Sequence, residues 1–213
     1  MSRRSLLVVA LIFAPQLSAQ VCDSWRAPIG DSTIDLAPPR GFIEVCSLDA
    51  QLCDVLTAGF PPSVRTLGYF ATRRDWELFR SDSSAGFKHY LIAQLTLNRT
   101  AEQLSGFKAY LRSQQGNIPD HSELPRMLTA QGRVPLGILA ETPTSISFGV
   151  VMAARPVTSP SAESIVLVAS NSAAAVKNRL LSLYVYLDYR NEADIDTVKA
   201  VTQRWLQCIA DAN

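Results

Sequence analysis

Residues 180–189, LLSLYVYLDY, decide the fold. In an extended chain successive side chains point to opposite faces. Leu181, Leu183, Val185 and Leu187 therefore line one face, and Leu180, Tyr184 and Tyr186 line the other. A strand apolar on both faces belongs in the middle of a sheet, covered from both sides. The next segment has a helical period. Ile195, Val198, Thr202, Trp205, Leu206 and Ile209 recur at the spacing of one helix face, and Cys208 lies late in the same run. Glu192, Asp194 and Asp196 put negative charge at its start, where the helix dipole favours it.

Working back along the chain, residues 134–142, 145–153 and 164–170 read as strands joined by Pro-containing turns. Residues 87–97 are a further strand. His89, Leu91, Ala93, Leu95 and Leu97 share one of its faces; Tyr90, Ile92, Gln94 and Thr96 share the other. Thr100 with Gln103 has the form of a capping box, opening a helix that carries Leu104, Phe107 and Leu111. Residues 115–131 are polar and contain Gly116, Pro119 and Pro125; they read as the longest irregular segment. Nearer the start, residues 33–36 are a short strand stopped by Pro38 and Pro39, and residues 42–46 resume extended chain. Leu48, Leu52, Val55 and Leu56 predict a helix ended by Gly59, Pro61 and Pro62. Residues 64–72 are strand-like, Trp76 and Phe79 come next in a stretch of mixed charge, and residues 81–86 read as a loop. Strands joined by short turns imply antiparallel pairing, which needs no long crossover. The expected class is α+β: a single, mostly antiparallel β-sheet with helices packed on it, the last helix docked across a face.

The first residues stand apart. Arg3 and Arg4 precede the nine-residue apolar run LLVVALIFA at 6–14, Pro15 breaks it, and Leu17-Ser18-Ala19 offers a small residue at the cut. This is the pattern of a secretory signal peptide at residues 1–19, cleaved after Ala19. The run is too short to span a bilayer, which takes about 20 residues. Ala19-Gln20-Val21 before Cys22 lacks the small-residue box of a lipoprotein signal. Residues 20–213 are then expected to form a single α+β domain, periplasmic or secreted, with no further apolar run long enough to cross a membrane.

The full chain has 213 residues, 47% hydrophobic and 18% charged, with net charge +1. Removing residues 1–19 leaves 18 basic against 19 acidic residues. This composition is too apolar for disorder and too balanced for an electrostatic nucleic-acid binder. Cys22, Cys46, Cys53 and Cys208 all stay in the exported chain. An even count in an oxidising compartment reads as two disulfides, for which three pairings exist. We favour Cys46–Cys53 as a short local loop and Cys22–Cys208 as a bridge between chain ends, which often lie close together in a domain.

The common catalytic signatures are missing. The sequence holds no G-x-S-x-G elbow, no Walker loop, no G-x-G-x-x-G and no H-E-x-x-H. We expect no cofactor and no metal, since C-x-x-C is absent and only His89 and His121 could add imidazoles. His89 sits on an otherwise apolar strand face and reads as a packed histidine, with general base as the alternative. His121 lies in the polar run Pro119-Asp120-His121-Ser122-Glu123; neighbours in sequence do not make a triad, but loops do carry sites. Asp49 with Asp54, and Glu192 with Asp194, are possible carboxylate pairs, the second better explained by the helix dipole. Arg65, Arg73, Arg74 and Arg80 form a mildly basic stretch around Trp76. Charge of this kind commonly guards an exposed strand edge.

The strand leading into Pro39-Arg40-Gly41-Phe42, the Tyr69-Phe70 strand, and the closing strand with its Trp205 helix resemble exported bacterial proteins. Their layout is similar to the Mog1/PsbP-like α/β/α sandwich. The resemblance covers most of the exported chain and implies a binding, chaperone or accessory protein more often than an enzyme. It carries over no catalytic residue.

Two functions remain. The favoured one is a non-catalytic exported binding or accessory protein of the bacterial envelope, chaperone- or immunity-like, contacting another protein or an envelope component. Its site is expected among exposed aromatics and loop residues, around Trp76, Arg73, Arg74 and His121. The alternative is a small exported hydrolase using a carboxylate or one of the histidines, which needs a deep pocket holding those groups together.

Overall fold

The computed structural model describes residues 22–115, 124–154 and 164–213. The expected signal peptide and His121 lie outside them. In chain order the strands are β1 (Arg26–Ile29), β2 (Ser32–Asp35), β3 (Phe42–Glu44), β4 (Val64–Thr72), β5 (His89–Thr100), β6 (Arg133–Thr142), β7 (Ser145–Ala154), β8 (Ile165–Val176) and β9 (Arg179–Asp188). The helices are α1 (Ala50–Thr57), α2 (Arg73–Ser81), α3 (Leu104–Gln114), α4 (Leu124–Gln131) and α5 (Ala193–Ala212).

β1 and β2 form a small hairpin. The other strands make a seven-stranded sheet in the order β3-β4-β5-β9-β8-β7-β6, every neighbouring pair antiparallel. The strand that is apolar on both faces, β9, is the central one. It is joined to β8 by a tight turn at Lys177 and Asn178, both at positive φ, the geometry that matches the twist of paired strands. The class is α+β, with a fully antiparallel sheet.

The two faces are covered differently. On the first, Leu181, Leu183 and Val185 of β9 and Leu91, Ala93 and Leu95 of β5 pack under α5, the β1–β2 hairpin and Leu124 of α4. The expected stripe of α5 is buried, and the indole Nε1 of Trp205 donates to the carbonyl of Leu36. The buried hydroxyls of Ser170 and Thr202 satisfy each other at 2.7 Å between β8 and α5, which removes the cost of two polar groups inside the core.

The second face carries two separate clusters. In one, Leu52 and Leu56 of α1 and Trp76 of α2 pack with Val45, Tyr69 and Ile92. In the other, Leu104 and Leu111 of α3 pack on Ile146, Ala173 and Leu180. α1 is capped by Asp49, whose carboxylate accepts the N–H of Leu52 at 2.9 Å. The Thr100–Gln103 capping box is present and opens a short 3-10 turn that runs into α3.

Three expectations are corrected. Arg73, Arg74 and Arg80, expected to guard a strand edge, lie on a helix over residues 73–81; Thr72 caps its start, and Asp75 is buried because its carboxylate accepts the backbone N–H groups of Lys88 and His89. The irregular segment expected over 115–131 is shorter, since Leu124–Gln131 is helix, with Pro125 in the first turn where no intrahelical N–H is needed. β8 continues past Ser170 to Val176, its small Ala173 fitting beneath α3.

Two disulfides join Cys22 to Cys208 and Cys46 to Cys53, with Cα–Cα distances of 6.0 and 4.8 Å. The first ties the segment before β1 to the end of α5. The second ties the end of β3 to α1.

Candidate functional site

On the second face a strip of sheet runs from the α1/α2 cluster toward α3. Strand register fixes what it displays. Ala71 of β4 opposes Tyr90 of β5, Tyr90 opposes Tyr186 of β9, and Tyr184 of β9 opposes Asn171 of β8. Tyr69, two residues before Ala71, points to the same face. The four tyrosines stack in a row. Ring centroids are 5.5 Å apart for Tyr69 and Tyr90, 4.7 Å for Tyr90 and Tyr186, and 6.2 Å for Tyr186 and Tyr184, with interplanar angles of 8°, 17° and 14°. Each inner ring thus uses its faces on its neighbours.

Burial governs how these phenols titrate. It pushes Tyr69 well above its ordinary value, raises Tyr90, and raises Tyr186 to about 12, in each case reinforced by a neighbouring tyrosine. The three hydroxyls therefore stay protonated and neutral in any physiological medium. Gln94, on the same face of β5 and opposite Ser182, is 5% exposed, and its Nε2 has no hydrogen-bond partner among the described residues.

Beyond Tyr184 the strip opens into a cleft of about 530 Å³. Asn171 is common to both. The floor is Phe148 and Val150 of β7 with Pro135 of β6. One wall is α3, through Tyr110 and Gln114, and Gln131 of α4 and Arg133 of β6 close the far side. Tyr110 is 60% exposed, the largest exposure among the bulky apolar side chains of the described residues. The surface is apolar and aromatic, bordered by neutral amides and one guanidinium. Such a lining suits binding, with a few polar groups setting orientation.

The residues expected from sequence fall elsewhere. Trp76 is 9% exposed: it packs in the α1/α2 cluster, stacks on Phe79 at 6.1 Å, and has the Arg80 guanidinium 6.0 Å from its ring centroid. The expected exposed aromatic at Trp76 is thus corrected; its ring area is spent in the core. Arg73 and Arg74 are exposed at the start of α2 and do not line the cleft. His121 lies outside the described residues. His89 is on the first face, edge-on to Phe42 at 4.9 Å, with its Nε2 enclosed and without a partner among the described residues. Burial lowers its pKa, and the Asp75 carboxylate pulls the other way. This is the setting of a packed histidine. Asp49 caps α1, and Asp194 accepts the N–H groups of Arg190 and Asn191, holding the chain ahead of α5. Among the described residues no cluster of three or more His, Cys, Asp and Glu side chains gathers to hold a metal ion.

Sequence reasoning missed Tyr110, Phe148, Asn171 and the tyrosine row as a site. The signal is partly present: alternation puts Tyr184 and Tyr186 on one face of their strand and Tyr90 on one face of its own. Which part of that face stays open depends on where three helices land.

No protein-family model matches the chain, and no curated protein matches it. Among solved structures it is similar to the Ran-binding protein Mog1p of Saccharomyces cerevisiae, at 14% identity over 90% of this chain and 94% of that one, with a TM-score of 0.41. A mutant of protein Mog1 gives 15% identity over 89% and 94% of the two chains, with a TM-score of 0.40.

Proposed function

We propose that this chain is an exported accessory protein of the bacterial envelope that acts by binding rather than by catalysis. The cleft on the second sheet face serves as its contact surface for another protein or an envelope component. The observation that carries the reading is the solvent-facing Tyr110 standing over an apolar floor of Phe148, Val150 and Pro135. Aromatic rings that offer both an apolar body and a hydroxyl are favoured at contact surfaces. Two further features support the setting. The first 19 residues have the pattern of a cleavable export signal. All four cysteines are paired in disulfides, which persist in oxidising compartments. On this reading residues 20–213 work as a single domain in the periplasm or outside the cell.

The test is crosslinking in the native envelope with mass spectrometry of what is captured. Wild type and three variants are compared: Tyr110→Ala and Asn171→Trp in the cleft, and Arg74→Gln on α2 as a control. A stoichiometric partner retained by the α2 variant and lost by both cleft variants supports the reading. A partner lost only by the α2 variant moves the contact surface to α2, and capture unaffected by all three removes the cleft from the function.

A further inference from the structure

We infer that the cleft between α3, α4 and β6–β7 takes a small apolar monocarboxylate, a molecule with one anionic head and an acyl or flat hydrocarbon body. The inference rests on the reading of this face as the binding surface and names the chemistry of what it holds. About 530 Å³ is within the usual range for sites that enclose one small ligand. Phe148, Val150 and Pro135 supply a floor with no hydrogen-bonding side chain, so the body of the ligand must be apolar. Among the described residues the lining contains a single charged side chain, Arg133, and no carboxylate. Arg133 forms no ion pair among the described residues. A guanidinium in the lining of an apolar cleft, with the amides of Gln131 and Gln114 beside it in that lining, complements a carboxylate in charge and in hydrogen-bond donors.

The cleft borders an edge strand, and the strand itself argues against an added peptide strand. β6 has no N–H at Pro135, and its register with β7 shifts between Pro135 and Gly137 and again between Ile138 and Ala140. A ladder interrupted in this way gives an incoming backbone no continuous row of partners. A compact ligand lying on the face uses the apolar floor without needing the ladder.

The test is isothermal titration of the purified protein with octanoate and with octanamide, which share a body and differ in charge. Wild type is compared with Arg133→Gln, Asn171→Trp, which fills the cleft from an exposed position, and Arg74→Gln. We expect saturable one-to-one binding of octanoate. Octanamide, and octanoate on Arg133→Gln, should bind about two- to fivefold more weakly, the scale of a solvent-exposed ion pair. Asn171→Trp should abolish binding and Arg74→Gln should leave it unchanged. Equal affinity for acid and amide, or an unchanged Arg133→Gln, overturns the assignment of the anion to Arg133. Binding that survives Asn171→Trp places the ligand elsewhere, and no saturable binding rejects the ligand class. If octanoate fails while Asn171→Trp still abolishes envelope crosslinking, the face remains a contact surface and only the ligand class is wrong.

Discussion

The indole Nε1–H of Trp205 donates to the carbonyl of Leu36 at 2.7 Å, joining the last helix to the chain just after β2 across 169 residues. Both residues are essentially buried, and the ring stands edge-on to Phe70 with centroids 6.2 Å apart. Trp205→Phe keeps an aromatic ring but leaves the Leu36 carbonyl without its donor and a void where the larger ring was. Together these should cost about 2–3 kcal/mol. Urea unfolding checks it: the midpoint should fall with an unchanged slope, as for a loss of stability in a two-state transition.

The two disulfides should differ in weight. Cys22 and Cys208 are 186 residues apart, Cys46 and Cys53 only 7. On the loop-entropy account the long bridge contributes about 5 kcal/mol and the short one about half of that. Thermal melting of the Cys22→Ser/Cys208→Ser and Cys46→Ser/Cys53→Ser double variants, beside reduced and oxidised wild type, gives the order. An unchanged melting temperature on reduction would deny both bridges a structural role.

Gly68 stands where the β4–β5 register shifts, and a Cβ there would lie 2.6 Å from Cζ of Phe70. Phe70 has little room to retreat, being fully buried with Trp25 and Trp205 against it. Gly68→Ala should therefore destabilise by about 1–3 kcal/mol through overpacking. Gly106 in α3 has nothing within 4 Å of such a Cβ. There the same substitution should stabilise by up to about 1 kcal/mol through helix propensity. Opposite shifts in unfolding midpoint are the expected outcome.

His89 should contribute to acid sensitivity. Burial lowers its folded pKa below the ordinary 6.5, so the unfolded chain takes up the proton first as pH falls. Stability then rises with pH across this window. The contribution is complete above the ordinary value and is lost as pH falls through it toward the lowered one. His89→Phe should flatten this part of the stability profile relative to wild type, while leaving stability above neutral pH similar. Chemical unfolding of both proteins at several pH values between about 7 and 5, the span over which an ordinary histidine titrates, measures the difference.

Much of the sheet was legible in the sequence because its strands carry strong alternation. β4 runs over 64–72 as expected, and the two-sided apolar character of β9 placed it at the centre. α5 could be read from its stripe and its acidic start. Weak signals were lost. In α2 only Trp76 and Phe79 mark the buried side, and the deciding residue is Asp75, which is charged and buried because it binds two backbone N–H groups. Pro125 reads as a breaker, yet in the first turn of α4 it is tolerated. β1 is four residues long, too short for a period. The cleft was least legible. Its residues come from α3, α4, β6, β7 and β8, so it exists only once those elements pack. Trp76 is a large ring that could serve a contact or a core, and burial is where such a ring gains most.

The bridge between Cys22 and Cys208 also sets how the protein would carry a pulling force. Load applied outside the two cysteines passes through one covalent bond, and the sheet between them lies off the line of tension. In a single-molecule stretching experiment the oxidised protein should lengthen only outside the bridge, and no sheet-rupture event should appear. Added reductant should release the 186-residue span as new contour length. A domain fastened in this way can be pulled from either end without its strands being peeled apart.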